Sequence, residues 1–154
     1  MKETTFTNMI RAELFAVGAL VLKVHGNAFQ EVGWPDLLVW CPSEKNGTLP
    51  GRSFGIELKV GKRKATAKQV QRLEHLCRVG SLGVVLRGGT DPDDPSAWQM
   101  ETARGCVLYE YSDALIRNEL GSSPDAQDRR RARGLHLLRV LHNVSPVAGL
   151  KGLM

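Results

Sequence analysis

The sequence predicts an α/β domain in which a central mixed β-sheet of about four to five strands is flanked by helices, in the order αβββαβ. Three observations predict it: an amphipathic first segment, short β-branched or leucine-rich runs bounded by Gly, Pro and Asn, and a second helical stripe after the third run. A chain of 154 residues has the length of one domain. We assign residues 1–121 to that domain and 122–154 to a basic, partly helical extension.

The first half of the chain carries the first helix and three strands. The helix is expected over Thr5–Val17, because apolar residues recur there at helical spacing, and Gly18 should end it. The strands predicted after it are Ala19–Val24, Asp36–Trp40 and Ser53–Val60. Because Pro42–Gly51 is rich in turn residues, the second and third strands should form a hairpin.

The second half begins with the clearest helix, Thr66–Val79, whose entry Thr66-Ala67-Lys68-Gln69 has the pattern of a capping box. The elements expected after it are a strand Gly83–Arg87, a solvated loop Gly88–Ser96, a strand Cys106–Tyr111 and a helix Ser112–Leu120. A basic helix should then run from Pro124 to about Arg133 and be interrupted by Gly134. The end past Ser145 is expected to be disordered.

Composition and charge narrow the classes of function. The formal charge is +5, and the cations cluster in two runs, Lys59–Arg72 and Arg129–Arg133, which favours nucleic acid as a partner. Three widely spaced cysteines without a CxxC pair indicate neither a disulfide framework nor a zinc site. The longest apolar stretch, Leu14–Val24, is shorter than the roughly 18 to 20 residues of a membrane span, and no signal-peptide pattern is found. We expect a cytoplasmic protein.

Two carboxylates and a lysine should converge beside the hairpin. Glu57 and Lys59 are two apart on a predicted strand, so their side chains leave the same face. Asp36 opens the neighbouring strand after the turn Gly33-Trp34-Pro35 and should lie beside Glu57. Carboxylates held together repel each other unless a cation lies between them, and an all-oxygen site suits Mg²⁺ or Mn²⁺. Taken alone, such a triplet is more often a solvated pair and a turn residue.

Glu13 adds context, because it interrupts the apolar stripe of the first helix. A carboxylate that faces a core costs several kcal/mol unless it is paired or bound to a metal. We therefore expect Glu13 to help to hold the ion, directly or through water. The alternatives are a salt bridge to a Lys or Arg, or a helix rotated so that Glu13 lies at the rim.

The segment from Val21 to Gly88 resembles the VRR-NUC branch of the PD-(D/E)XK nucleases, which have a restriction-endonuclease-like core related to that of Holliday junction resolvases. The matching pieces are KVHGNAFQEVGWPDLLV, IELKVGKRKATAKQVQRL and GSLGVVLRGG. The resemblance implies a catalytic site built from a first-helix Glu, the Asp of G-x-PD, the Glu and Lys of E-x-K, and a helical Gln. On this sequence those residues are Glu13, Asp36, Glu57, Lys59 and Gln69.

We therefore expect a Mg²⁺- or Mn²⁺-dependent DNA endonuclease that acts on branched DNA such as a flap or a Holliday junction, in repair or recombination. Asp36, Glu57, the Leu58 carbonyl and Glu13 would hold the metal, and Lys59 and Gln69 would orient the attacking water. The resemblance also implies a 5′-phosphate product and, by likeness to the junction resolvases, a homodimer. The end of the chain from Asp91 onward matches no motif of this family.

Side chains near the site are expected to bind the DNA backbone. The set comprises Lys23, His25, Gln30, Lys62, Arg63 and Lys64. Solvated strand ends and a solvated loop explain the same residues almost as well. The competing function is a non-catalytic DNA-binding or assembly module that retains the nuclease fold; a sequence-reading restriction enzyme ranks lower, because so short a chain has little surface for a recognition domain.

Overall fold

The protein is described by a computed structural model that covers residues 1–26, 31–42, 51–91, 98–110 and 125–144. Its helices are α1 (Glu3–Ala16), α2 (Ala67–Arg78) and α3 (Ala126–Asn143). Its strands are β1 (Leu20–Lys23), β2 (Leu37–Cys41), β3 (Arg52–Val60), β4 (Leu82–Gly88), β5 (Gln99–Glu101) and β6 (Val107–Glu110). The predicted helix Ser112–Leu120, the junction at residues 121 and 122, and the end past Ser145 lie outside the described residues.

The six strands form one mixed sheet in the order β1-β2-β3-β4-β5-β6. Strands β2 and β3 are antiparallel, which confirms the predicted hairpin, and β3 and β4 are parallel, with α2 as the crossover between them. The predicted αβββαβ order is confirmed. The sheet is larger than the four to five strands expected, because β5 is a three-residue strand without the β-branched run that identifies a strand in sequence.

The two faces of the sheet pack against different helices. Phe54, Ile56 and Leu58 of β3 belong to the main apolar core together with α1 and the buried side of α3. The opposite face holds a smaller cluster in which Leu73 of α2 packs against Val85 of β4. Glu57 and Lys59 alternate with the core residues of β3, so they face the α2 side of the sheet.

Helix α3 corrects the expectation that Gly134 interrupts a helix ending near Arg133. The helix continues to Asn143, and Gly134 lies against α1 within it: a Cβ at this position would lie 2.2 Å from the backbone oxygen of Glu13. Leu137, Val140 and Leu141 of α3 are buried in the same core as the sheet. At the start of β3, Arg52 donates hydrogen bonds to the carbonyls of His142 and Val144.

None of the helices in the described ranges is both long and apolar enough to cross a membrane.

Candidate metal centre and active site

Asp36 is fixed at the start of β2 by the turn that precedes it. Gly33 has φ +97°, a conformation that favours glycine, and a Cβ there would lie 2.8 Å from the Lys68 backbone oxygen, so the turn packs closely on α2. Asp36 Oδ2 accepts a hydrogen bond from the Leu58 amide at 2.8 Å, and the Val24 amide donates to the Asp36 carbonyl at 2.9 Å. The carboxylate is thereby held against β3.

Glu57 lies beside Asp36 and is almost completely buried, with 1% of its surface exposed. Its Oε1 lies 2.7 Å from Lys59 Nζ and accepts a hydrogen bond of 2.6 Å from Gln69 Nε2. Its Oε2 is buried and has no hydrogen-bond partner among the described residues. A buried carboxylate oxygen without a donor is costly for the apoprotein, and a bound cation would remove that cost.

Gln69 joins the helix entry to the carboxylates. The Thr66 amide donates to Gln69 Oε1 at 2.8 Å, and the Gln69 amide donates to Thr66 Oγ1 at 3.3 Å, so the predicted capping box is present. The same side chain uses its amide nitrogen to donate to Glu57. The capping box therefore fixes the direction from which Gln69 meets the site.

The third carboxylate of the cluster is Glu3, which sequence reasoning missed. Carboxylate oxygens of Glu3, Asp36 and Glu57 all lie within 4.8 Å of one another. Glu3 Oε1 is 3.7 Å from Lys59 Nζ, and its Oε2 is 3.6 Å from Arg63 Nη1. Glu3 lies one turn before Phe6, at the N-terminal end of the buried stripe of α1, a position that gave no distinct signal in the sequence.

Glu13 is not in this cluster, which corrects the expectation that it would join the carboxylates of Asp36 and Glu57. It is ten positions after Glu3 on the same helix, about 15 Å along the axis at 1.5 Å per residue. Its side chain is fully buried against α3, where Oε1 forms a 2.7 Å ion pair with Arg133 Nε. The salt bridge left open as an alternative explains the carboxylate on the apolar face.

The carboxylates are difficult to ionise together. Burial, then the charge of Asp36, raise the pKa of Glu57 to about 7, although Lys59 lowers it. Burial likewise raises the pKa of Asp36, while the Leu58 amide lowers it. Such a cluster favours either bound protons or a bound cation. Three carboxylates around one point, one with a free buried oxygen, have the chemistry of a site for a hard divalent ion.

The predicted DNA-binding residues are spread around this site. Lys62, Arg63 and Lys64 are exposed directly after β3, and Arg63 reaches Glu3. Lys23 is half-buried at the end of β1 and donates to Asn8 Oδ1 at 2.9 Å, and His25 is exposed. Gln30 lies outside the described residues.

No protein-family model matches this chain, and no curated protein matches it. This chain is similar in structure to Hjc, a Holliday junction resolvase from the archaeal hyperthermophile Archaeoglobus fulgidus, whose structure was solved at 1.6 Å resolution. The identity is 22%, the match covers 63% of this chain and 72% of that chain, and the TM-score is 0.45.

Proposed function

We propose that this protein is a divalent-metal-dependent deoxyribonuclease that hydrolyses phosphodiester bonds in branched DNA. The observation that carries the proposal is the convergence of three carboxylates, Glu3, Asp36 and Glu57, beside Lys59. This combination suits the hydrolysis of a phosphodiester, in which negative charge grows on the phosphoryl oxygens. The VRR-NUC resemblance of the sequence points to the same chemistry.

The residues present fit a Mg²⁺ or Mn²⁺ ion. Glu3, Asp36 and Glu57 would hold it through carboxylate oxygens, together with the Leu58 carbonyl as the resemblance implies. The ion would supply Lewis-acid stabilisation of the phosphoryl oxygen and a lowered pKa for a bound water. Glu13 has no part in this set, because its carboxylate is paired with Arg133.

Lys59 and Gln69 position the reaction partners. Lys59 Nζ is 2.7 Å from Glu57 Oε1 and 3.7 Å from Glu3 Oε1. Its positive charge would therefore lie beside a scissile phosphate that approaches the carboxylates. Gln69 is held by its helix cap and keeps Glu57 in one orientation. Hydrolysis breaks the bond from phosphorus to the 3′ oxygen as water adds to phosphorus, which leaves a 5′-phosphate and a 3′-hydroxyl.

The surroundings of the site support a DNA substrate. Lys62, Arg63 and Lys64 present an exposed cationic loop at the end of the strand that carries Glu57 and Lys59. Such a loop contributes affinity for the phosphate backbone without reading sequence. We extend the proposal to a structure-selective enzyme of repair or recombination, because backbone contacts respond to the shape of DNA.

A homodimer forms part of the proposal. Strand β1 is at the edge of the described sheet, and Leu20, Leu22 and the cross-strand Trp40 are between 44% and 65% exposed. A contiguous apolar patch on an edge strand is typical of a surface that pairs with another chain. A symmetric dimer would present two equivalent sites to the two strands of a branched DNA.

Cleavage of labelled flap, splayed-arm, four-way-junction and linear DNA in Mg²⁺ tests the proposal. We expect the wild type to cut a branched substrate, and Asp36→Asn, Glu57→Gln and Lys59→Ala to reduce the rate at least 100-fold, the order of loss seen when one electrostatic group of an active site is removed. DNA affinity measured in EDTA should be largely kept. Absence of cleavage in Mg²⁺ and Mn²⁺ with normal binding would favour the competing function, a DNA-binding module.

A further inference from the structure

A cleft of about 860 Å³ lies between α1 and the N-terminal half of α3, away from the acidic cluster. Its wall on α1 carries Asn8, Arg11 and Phe15, and its wall on α3 carries Arg130 and Arg131. These side chains are exposed. The predicted basic helix therefore faces α1, and the arginine run that matched no motif forms one side of a groove.

The charge of the cleft is strongly positive. Arg11, Arg130 and Arg131 line it, and Asp128 is the acidic residue of the lining. Within the described part of the chain, no ion pair or hydrogen bond is made by these three arginine side chains. Arginines without an ion-pair partner are available to a polyanion, and the phosphates of a nucleic-acid strand are the polyanion that the proposed function supplies.

Phe15 indicates which form of nucleic acid fits. Its side chain is 70% exposed at the wall of the cleft, among the arginines. An exposed aromatic ring inside a cationic groove is the combination that binds single strands, in which phosphates contact the cations and bases stack on the ring. Bases inside a duplex are covered by their neighbours, so only an unpaired base can stack on Phe15.

Two hydrogen bonds lie between the Asn8 end of the cleft and Asp36 of the acidic cluster. Asn8 at its near end accepts a hydrogen bond from Lys23, and the next residue, Val24, donates its amide to the carbonyl of Asp36. From Asn8 to Phe15 the helix rises about 10 Å. At 3.4 Å per stacked nucleotide, that distance holds about three nucleotides.

The packing of α3 keeps the arginines in place. Gly134 lets the two helices meet at the Glu13 backbone, and Arg133 pairs with the Glu13 carboxylate one turn from Arg130. The helix that carries these arginines is therefore packed against the core of the domain. The two walls of the cleft are fixed relative to each other.

We propose that the cleft between α1 and α3 binds a single-stranded DNA segment, with phosphates on Arg11, Arg130 and Arg131 and a base stacked on Phe15. This inference rests on the proposed nuclease function and narrows its substrate class. The enzyme cuts DNA that carries an unpaired arm next to the scissile bond, such as a flap or a splayed arm, in preference to a fully paired four-way junction.

Binding of fluorescent oligothymidylate in EDTA, followed by anisotropy, tests the cleft without cleavage. Phe15→Ala should weaken binding about tenfold or more, the effect of losing one stacked base, and Phe15→Tyr should keep it. Arg131→Gln should lower the slope of log affinity against log salt by about 0.7, the value for one phosphate contact on a single strand. Val79→Ala and Arg78→Gln are matched controls, because both residues are exposed at the end of α2.

Unchanged oligothymidylate binding by Phe15→Ala and Arg131→Gln would overturn the inference. So would a change of molar mass in Phe15→Ala, measured by light scattering, with binding unaltered, because a second copy of the chain would then occupy the cleft. Wild-type protein that binds oligothymidylate through these residues but cuts nothing would refute the proposed function alone. Cleavage of flaps and four-way junctions at equal rates, unaffected by Phe15→Ala, would refute this inference alone.

Discussion

The buried carboxyl of Glu13 should make the stability of the protein fall as the pH rises, and Glu13→Gln should remove that dependence. Burial raises the pKa of Glu13 from its ordinary value of 4.5 to about 7, although the charges of Arg133 and Arg130 lower it. Between these two values the folded state holds a proton that the unfolded chain has released. Folding is therefore favoured at low pH and loses free energy as the pH rises past 4.5, until Glu13 is ionised in both states above about 7.

The magnitude follows from the two pKa values. Each tenfold change in the ionisation equilibrium is worth about 1.4 kcal/mol, so between pH 5 and pH 8 Glu13 should lower the free energy of unfolding by roughly 2 to 3 kcal/mol. Glutamine cannot ionise, so Glu13→Gln should lose this part of the pH dependence.

Urea unfolding of the wild type and of Glu13→Gln at pH 5 and pH 8, in EDTA, measures the difference. Glu57 also contributes to the pH dependence of stability, with the same sign as Glu13. Because this contribution is present in both proteins, it cancels when they are compared. An equal loss of stability between the two pH values in both proteins would refute the assignment of a buried, hard-to-ionise Glu13.

Three further changes test the packing and the cluster. Gly134→Ala should lower the free energy of unfolding by about 1 to 3 kcal/mol, because the new Cβ meets the Glu13 backbone, while Gly26→Ala, with open space around it, should change it little; equal effects in urea would contradict the close approach. Gln69→Glu keeps the helix cap but replaces the hydrogen-bond donor to Glu57 with a carboxylate. The Tm of this variant should therefore fall below that of the wild type by more in EDTA than in Mg²⁺. A fall in Tm that does not depend on Mg²⁺ would count against the cation site. Mg²⁺ should raise the Tm of the wild type more at pH 8 than at pH 6, because it competes with the proton on Glu57. Glu57→Gln should lose most of this rise in Tm. An equal rise in this variant would show that Glu57 does not bind the ion.

Local patterns were sufficient for the hairpin side of the site. The period of two along β3 places Glu57 and Lys59 on one face, and the turn before Asp36 brings that residue opposite Glu57. The Thr66 and Gln69 spacing predicts a capping box, which is present. These features depend on neighbours within one hairpin or one helix turn, and such neighbours are visible in sequence.

The choice between the carboxylates of α1 was not visible in this way. Glu13 lies on the apolar stripe because Arg133, from the far end of the chain, pairs with it, and only tertiary packing brings the two together. Glu3 stands at the helix start, where acidic residues are common for the helix dipole alone, so its position carried no distinct signal. The prediction that Gly134 interrupts the helix was wrong for the same reason. From sequence alone, a glycine that permits close contact between helices cannot be told from a glycine that ends a helix.

The most direct test of the central claim compares the two glutamates of α1 in DNA cleavage. A labelled flap substrate is incubated with Mg²⁺ and with wild type, Glu3→Gln, Glu13→Gln or Asp36→Asn, each shown to be folded by circular dichroism. The cluster of Glu3, Asp36 and Glu57 predicts that Glu3→Gln and Asp36→Asn lose cleavage and that Glu13→Gln keeps it. Cleavage that survives Glu3→Gln, is abolished by Glu13→Gln, or continues in EDTA would contradict it.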